Sequence, residues 1–344
     1  MHIFILLLLI SLLSSCHSSK REINDFDVVE KILVYDSIYS DKENPSGMIM
    51  DMEVSNGVIV TSHRNDVFNY SFIDSRTGGL LARWGKKGEG DNEFLDFGNG
   101  FVLKDTLLVF MERMKKTINY VPVSEILNGK PSLNIVKEPY PYGVDFRPIQ
   151  FCLVNNNKVF VGAFKKGRLG MLDSRGDTLS SDVDYPFSTK PLEGIFCGNV
   201  FQCKLKSVGR HGKFVVQTLF SDVFEIYQYV GTTLKRTAIS PFNHPPQIVQ
   251  RNNRYGIDYD ESIAGFMKMS VSDDFIYFIY SSLSSNEVDG AGEASNEILC
   301  FNWDGERIRK YILPFPISAF CVDGLYMYGV HNSEEESVIY RFRL

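Results

Sequence analysis

Asp51 and Glu53 stand two residues apart in the run MIMDMEVS, a spacing that puts both carboxylates on one face of an extended strand. Two carboxylates with amide oxygens nearby form the oxygen-rich set that Ca2+, a hard cation, requires. The competing reading is the polar lining of a solvated channel, in which Lys268 offers either carboxylate an ion-pair partner. A second set of residues lies in two irregular stretches, EPYPYGVDFRP (138–148) and PFNHPPQIVQRNNRYGIDYDES (241–262). Tyr140, Tyr142, Tyr255 and Tyr259 are suited to stack on a ligand or anchor an interface, with Asn253 and Arg254 beside them. The same residues would also serve simply to cap one face of the fold. No GxxxxGK[ST], HExxH or GxSxG occurs, and His17, His63, His211, His244 and His331 are scattered. No catalytic residue is assigned.

The N-terminus carries a different kind of chemistry. Ile3 to Leu13 is almost entirely aliphatic, yet shorter than the roughly 20 residues that span a bilayer. Ser14, Ser15 and Cys16 follow directly, as at a cleaved export signal. The stretch Leu13-Ser14-Ser15-Cys16 resembles the bacterial lipobox. That resemblance implies cleavage after residue 15 and a diacylglyceryl thioether on Cys16, with residues 16–25 as a polar tether. Five other cysteines remain, an odd number that cannot all pair within one chain. Cys152, Cys300 and Cys321 sit in apolar runs and read as buried thiols. Cys197 and Cys203 are the pair that an oxidising compartment would allow to join. No cysteine and histidine spacing suits zinc.

These residues need elements to hold them, and the composition says which. Phe and Tyr number 26 and 17 against seven Ala, a balance that favours strands over helices. The net charge of −6 argues against a nucleic-acid partner. One pattern recurs from residue 26 onward: a strand-like run, a turn of Gly, Asp or Asn, then a strongly apolar β run. The second runs begin at Val58, Leu107, Lys158, Lys213, Phe275 and Leu325, a repeat of about 50 residues, which is the length of a propeller blade. Further strands follow each pair, as in FNYSFIDSRTGGLLARW (68–84) and EILCFNWDGERIRKYIL (297–313). The expected fold is therefore all-β, a six-bladed propeller of four-stranded blades over residues 26–344. Packing such sheets around an axis covers their faces and leaves only short edges. The last unit is one strand short and the run 26–38 is one strand over, so the N-terminal strand is expected to complete the last blade. The innermost strands would then bring Asp51, Glu53, Asn99, Gln150, Gln202, Lys268 and Ser318 around the channel.

With the lipobox, the stretches RWGKKGEGDNEFLDF (83–97), SVSDDFIYFIYSS (270–282) and residues 298–330 resemble the TolB-like six-bladed β-propeller lipoproteins of gut-type bacteria. The first is similar to the G-x-x-G-x-G-x-x-E-F linker of NHL-like propellers, carried here by Gly85, Gly88, Gly90, Glu93 and Phe94, with Asp91 in place of the usual Pro. The resemblance carries no agreed activity. It implies a monomeric lipoprotein of the bacterial cell envelope, held by its lipid at the outer membrane. The reading favoured is a non-catalytic protein whose propeller face binds a protein partner or a glycan, with no cofactor. The alternative is a calcium-dependent lactonase or esterase-like hydrolase using Asp51 and Glu53 at the channel mouth.

Overall fold

The computed structural model describes residues 26–42, 47–64, 67–90, 93–97, 100–173, 175–179, 183–208, 212–231, 233–240, 244–290 and 295–344. The export signal (1–15), Cys16 and the tether (16–25) lie outside the described residues, as do His17, Asn99 and His211.

Local turn chemistry produces the hairpins. Asn56 and Gly57 adopt φ of 50° and 77°, and Asn155 and Asn156 adopt 49° and 67°, the left-handed values that tight hairpins need. Between later strands, Asp74 Oδ1 accepts hydrogen bonds from the Arg76 and Thr77 amides at 3.0 and 2.7 Å, closing the turn.

Two strands come first among the described residues, β1 (Val29–Lys31) and β2 (Val34–Ser40). Blade 1 runs β3 (Met48–Ser55), β4 (Val58–Arg64), β5 (Phe68–Asp74) and β6 (Leu80–Lys87), with the short β7 (Glu93–Phe94) added parallel to β6. Blade 2 has β8 (Phe101–Lys104), β9 (Leu107–Glu112), β10 (Thr117–Pro122), a short helix α1 (Val123–Leu127) and β11 (Val136–Pro139). Blade 3 has β12 (Phe146–Val154), β13 (Asn157–Phe164), β14 (Leu169–Leu172) and β15 (Thr178–Leu179), followed by α2 (Ile195–Val200). Blade 4 has β16 (Cys203–Val208), β17 (Lys213–Thr218), β18 (Phe224–Val230) and β19 (Thr233–Ile239). An inserted hairpin, β20 (Ile248–Arg251) and β21 (Arg254–Ile257), precedes blade 5. Blade 5 has β22 (Ile263–Val271), β23 (Phe275–Ser284), helix α3 (Ser285–Gly290), β24 (Ser295–Asn302) and β25 (Arg307–Ile317). Blade 6 has β26 (Ala319–Asp323), β27 (Tyr326–Asn332) and β28 (Ser337–Arg343), and β2 is its fourth strand.

The N-terminal segment therefore closes the ring, but in two pieces rather than one. β2 lies antiparallel to β28, where the Asp36 carboxylate accepts from Arg341 Nε at 2.9 Å. β1 instead runs parallel to β25 of blade 5, with Glu30 against Arg309 at 2.7 Å. Phe26 meets Phe301 edge to face at 5.4 Å.

Each junction between neighbouring blades has its own apolar cluster. The closing one joins Ile49, Met52, Ile59 and Ile73 of blade 1 to Ala319, Cys321, Val330 and Ile339 of blade 6. The Gly-rich linker explains the junction of blades 1 and 2. Gly85 has φ +85°, and a Cβ there would sit 3.1 Å from Phe97 and 3.2 Å from Tyr70. Glu93 Oε2 accepts from the Gly90 amide at 3.1 Å. These constraints drop Phe94 into the core, 4.8 Å from the Phe110 ring.

Candidate ligand site at the channel mouth

In every blade the innermost strand leaves the end of the molecule where the inter-blade links arrive, and the second strand returns to it. This link face gathers segment 139–146, the stretch holding α2, the β20–β21 hairpin and α3. Leu192, Cys197, Val200 and Phe201 pack with Ile257 and Ile248 into a separate small core on this face. The 241–262 stretch is thus partly a built hairpin, turned at Asn252 and Asn253 with φ 49° and 60°. Helix α3 follows directly on β23.

At the centre of this face a cavity of about 570 Å3 opens, within the range of small-ligand sites. Asp51, Gln150, Gln202 and Lys268 from the expected ring border it, joined by His63, Arg64, Asn69 and Lys204. Ser318 does not border it; its hydroxyl lies 2.7 Å from Asn332 Nδ2. Glu53 lies one strand repeat deeper. Its carboxylate accepts from Lys206 Nζ at 2.5 Å, and Asp51 lies 4.0 Å from the same ammonium. Burial pushes the Glu53 carboxyl above its ordinary value, opposed by Lys206 and reinforced by Asp51. Burial alone would lower Lys206, but the two carboxylates together hold it above its ordinary value.

The cation facing the carboxylates is therefore Lys206. Lys268 instead donates to the Met50 carbonyl at 2.7 Å. The signal for Lys206 was present in the sequence: Lys204 and Lys206 stand two apart in CKLKS, the same one-face spacing as Asp51 and Glu53. Among the described residues, no group of three or more His, Cys, Asp or Glu side chains is placed to hold a metal ion.

The aromatic residues divide. Tyr140 is 4% exposed and packs against Phe160 at 5.9 Å in the junction of blades 2 and 3, so it presents no ring to a ligand. Tyr142 is 44% exposed, with Lys116 Nζ 5.5 Å above its ring. Tyr255 and Tyr259, 37% and 45% exposed, border a second cavity of about 340 Å3 with Arg251, Arg254 and Asn286. Asn253 sits in the turn of that hairpin. Cys197 and Cys203 are free thiols, as are the other cysteines among the described residues.

Sequence inspection missed one buried polar network. Arg168, fully enclosed between blades 3 and 4, donates to Glu225 and lies 5.2 Å from the Tyr185 ring. Glu225 also accepts from Arg236 and from the Tyr227 hydroxyl, at 2.8 and 2.7 Å. Arg168 reaches Thr218 Oγ1 at 3.3 Å as well.

Fold and mouth together define a closed six-bladed β-propeller with a polar chamber on its link face. The chain belongs to the TolB-like 6-blade propeller-like family, whose sequence profile matches residues 26–324. No protein of curated function matches it. Among solved structures it is similar to a Bacteroides fragilis NCTC 9343 protein assigned as exported. That likeness has 12% identity and a TM-score of 0.55, covering 92% of this chain and 98% of the other. It is also similar to a DUF4221 family member from Bacteroides vulgatus ATCC 8482, at 12% identity and a TM-score of 0.53, covering 94% and 99%. A third likeness, at 10% identity and 0.51, is to Kuenenia stuttgartiensis hydrazine synthase, covering 87% of this chain and 96% of that one. At these identities the likenesses show the fold alone.

Proposed function

We propose that the protein is a non-catalytic binding lipoprotein of the bacterial cell envelope. It is held as a monomer at the outer membrane by a lipid on Cys16, and its link face takes a protein partner or a glycan. The observation that carries this reading is the open polar chamber at the channel mouth, together with a second cavity bordered by the exposed Tyr255, in the inserted hairpin, and Tyr259, just after it. Amphipathic tyrosines beside a polar cavity are the usual anchors of a binding surface. Envelope location is supported by the resemblance of residues 1–16 to an export signal ending in a lipobox, and the similarity to one exported Bacteroides fragilis protein agrees with it. Among the described residues no helix is long and apolar enough to cross a membrane.

The test is a glycan array, together with affinity capture from envelope extract, using wild type and a Tyr255→Ala/Tyr259→Ala variant. Binding that the double variant loses supports the reading; binding that ignores the change, or none, contradicts it. The competing calcium-hydrolase reading assigns Asp51 and Glu53 as ligands. Lys206, 2.5 Å from Glu53, supplies positive charge where a cation would have to sit, which weighs against it. Calorimetric calcium titration separates the two: heat that Asp51→Asn abolishes favours the hydrolase.

A further inference from the structure

The charge at the mouth runs against the charge of the molecule. The chain carries −6 overall. Among the described residues the chamber is bordered by three cationic side chains, Arg64, Lys204 and Lys268, against the single carboxylate of Asp51. The carboxylate of Glu53 lies deeper and is met by Lys206. A cleft of one sign with low-dielectric walls concentrates ligands of the other.

The chamber also has an apolar annex. A cavity of about 150 Å3 adjoins it beneath α3, lined by Leu219, Phe220, Ala264, Phe266, Met267 and Val288. Lys204 and Lys268 border both spaces and so stand at the junction. Backbone oxygens orient their ammonium groups: Lys204 Nζ donates to the Met267 carbonyl at 3.2 Å and Lys268 Nζ to the Met50 carbonyl at 2.7 Å. Each ammonium carries three donors, of which the Met267 and Met50 carbonyls each take one. An apolar space of about 150 Å3 accepts a benzene-sized group.

We infer that the link-face site selects a ligand carrying a carboxylate joined to a benzene-sized apolar group, the acid lying between Lys204 and Lys268 and the apolar group in the annex under α3. This rests on the reading of the link face as a binding surface and names the chemistry it takes. Two sources share that chemistry: a free aryl or branched-alkyl acid, and the C-terminal aromatic residue of a peptide.

Isothermal calorimetry on residues 16–344 tests it with phenylacetate, phenylacetamide, glucuronate, and the peptide Gly-Ser-Gly-Phe as free acid and as C-terminal amide. Phenylacetate or the peptide acid should bind, each at least about tenfold tighter than its amide, since a charge-assisted hydrogen bond is worth that much. Glucuronate, which has the charge but not the apolar group, should also be about tenfold weaker. Lys204→Met and Lys268→Met should each cost a similar factor with an unchanged melting temperature, and Lys268→Arg should retain binding. Preference for phenylacetate identifies a small acid as the ligand; preference for the peptide acid identifies a chain terminus. Equal binding of acid and amide, binding indifferent to both lysine variants, glucuronate binding as tightly as phenylacetate, or no binding of either acid overturns the inference. None of those results touches the Tyr255/Tyr259 experiment, so the binding role of the face stands or falls separately.

Discussion

Individual residues divide into those that could be read in the chain and those whose partners lay far away in sequence. Asp51 and Glu53 were legible as one face of a strand, because strand geometry is local. Lys206 was legible in the same way beside Lys204, but it is more than 150 positions away, and its pairing with them shows only where blades 1 and 4 face each other across the channel. Glu225 was invisible for the same reason. It is wholly buried, and Arg168 comes from blade 3. Removing one member of such a group strands the opposite charge in a dry interior, so Glu225→Gln should cost about 3–5 kcal/mol, measured as a lower midpoint in urea. A shift below about 1 kcal/mol would mean that water reaches Arg168. Glu125 gives a pH signature. The Asn134 amide, the Lys130 ammonium and the Asn134 side chain all bond its carboxylate and hold its pKa down to about 2, from an ordinary value of 4.5. A depressed acid stabilises the fold above its unfolded pKa and loses that contribution as pH falls through the folded value. Acid titration of stability should therefore be shallower in Glu125→Gln than in wild type between about pH 5 and 2. Superimposable curves would contradict the assignment.

At the level of elements, the repeat of turn and apolar run reported the blades well because hairpin turns are chemically local. Asn-Gly and Asn-Asn announce themselves. The first strand was harder. The run 26–38 was legible as surplus, but nothing in it distinguishes residues that extend blade 5 in parallel from residues that finish blade 6. That division depends on which edge each residue reaches after the ring has closed. Tyr140 illustrates a similar limit: its Pro-flanked stretch looks like surface loop, yet the ring is drawn into the core of the adjoining junction. Deleting residues 26–40 would expose β28 and remove the contacts between Phe26 and Phe301, so cooperative unfolding should be lost or the melting temperature should drop sharply. An unchanged melt would refute closure by the N-terminus. Gly265 ties blade 5 to blade 4: it has φ +61°, and an added Cβ would meet the Ser221 carbonyl oxygen at 1.9 Å. Gly265→Ala should destabilise by at least about 1–3 kcal/mol, the cost of strained backbone before any clash is counted.

The molecule as a whole is a ring whose two ends differ. One end carries short hairpin turns. The other carries long links, the inserted hairpin, two of the short helices and the mouth of the channel, and so holds most of the chemistry. The 50-residue repeat and the surplus N-terminal run revealed the ring and its closure but not the sign of the chamber, because Lys204, Lys268 and Arg64 come from three blades and are outvoted in the overall charge. On the reading proposed above, a closed six-bladed ring receives its ligand at this mouth. A crystal structure of residues 16–344 soaked with phenylacetate tests it most directly. The expected result is β2 hydrogen-bonded beside β28, and ligand density with its carboxylate at Lys204 and Lys268 and its ring under α3. A ring left open at blade 6, or an annex filled by protein side chains with no ligand density at the mouth, would contradict it.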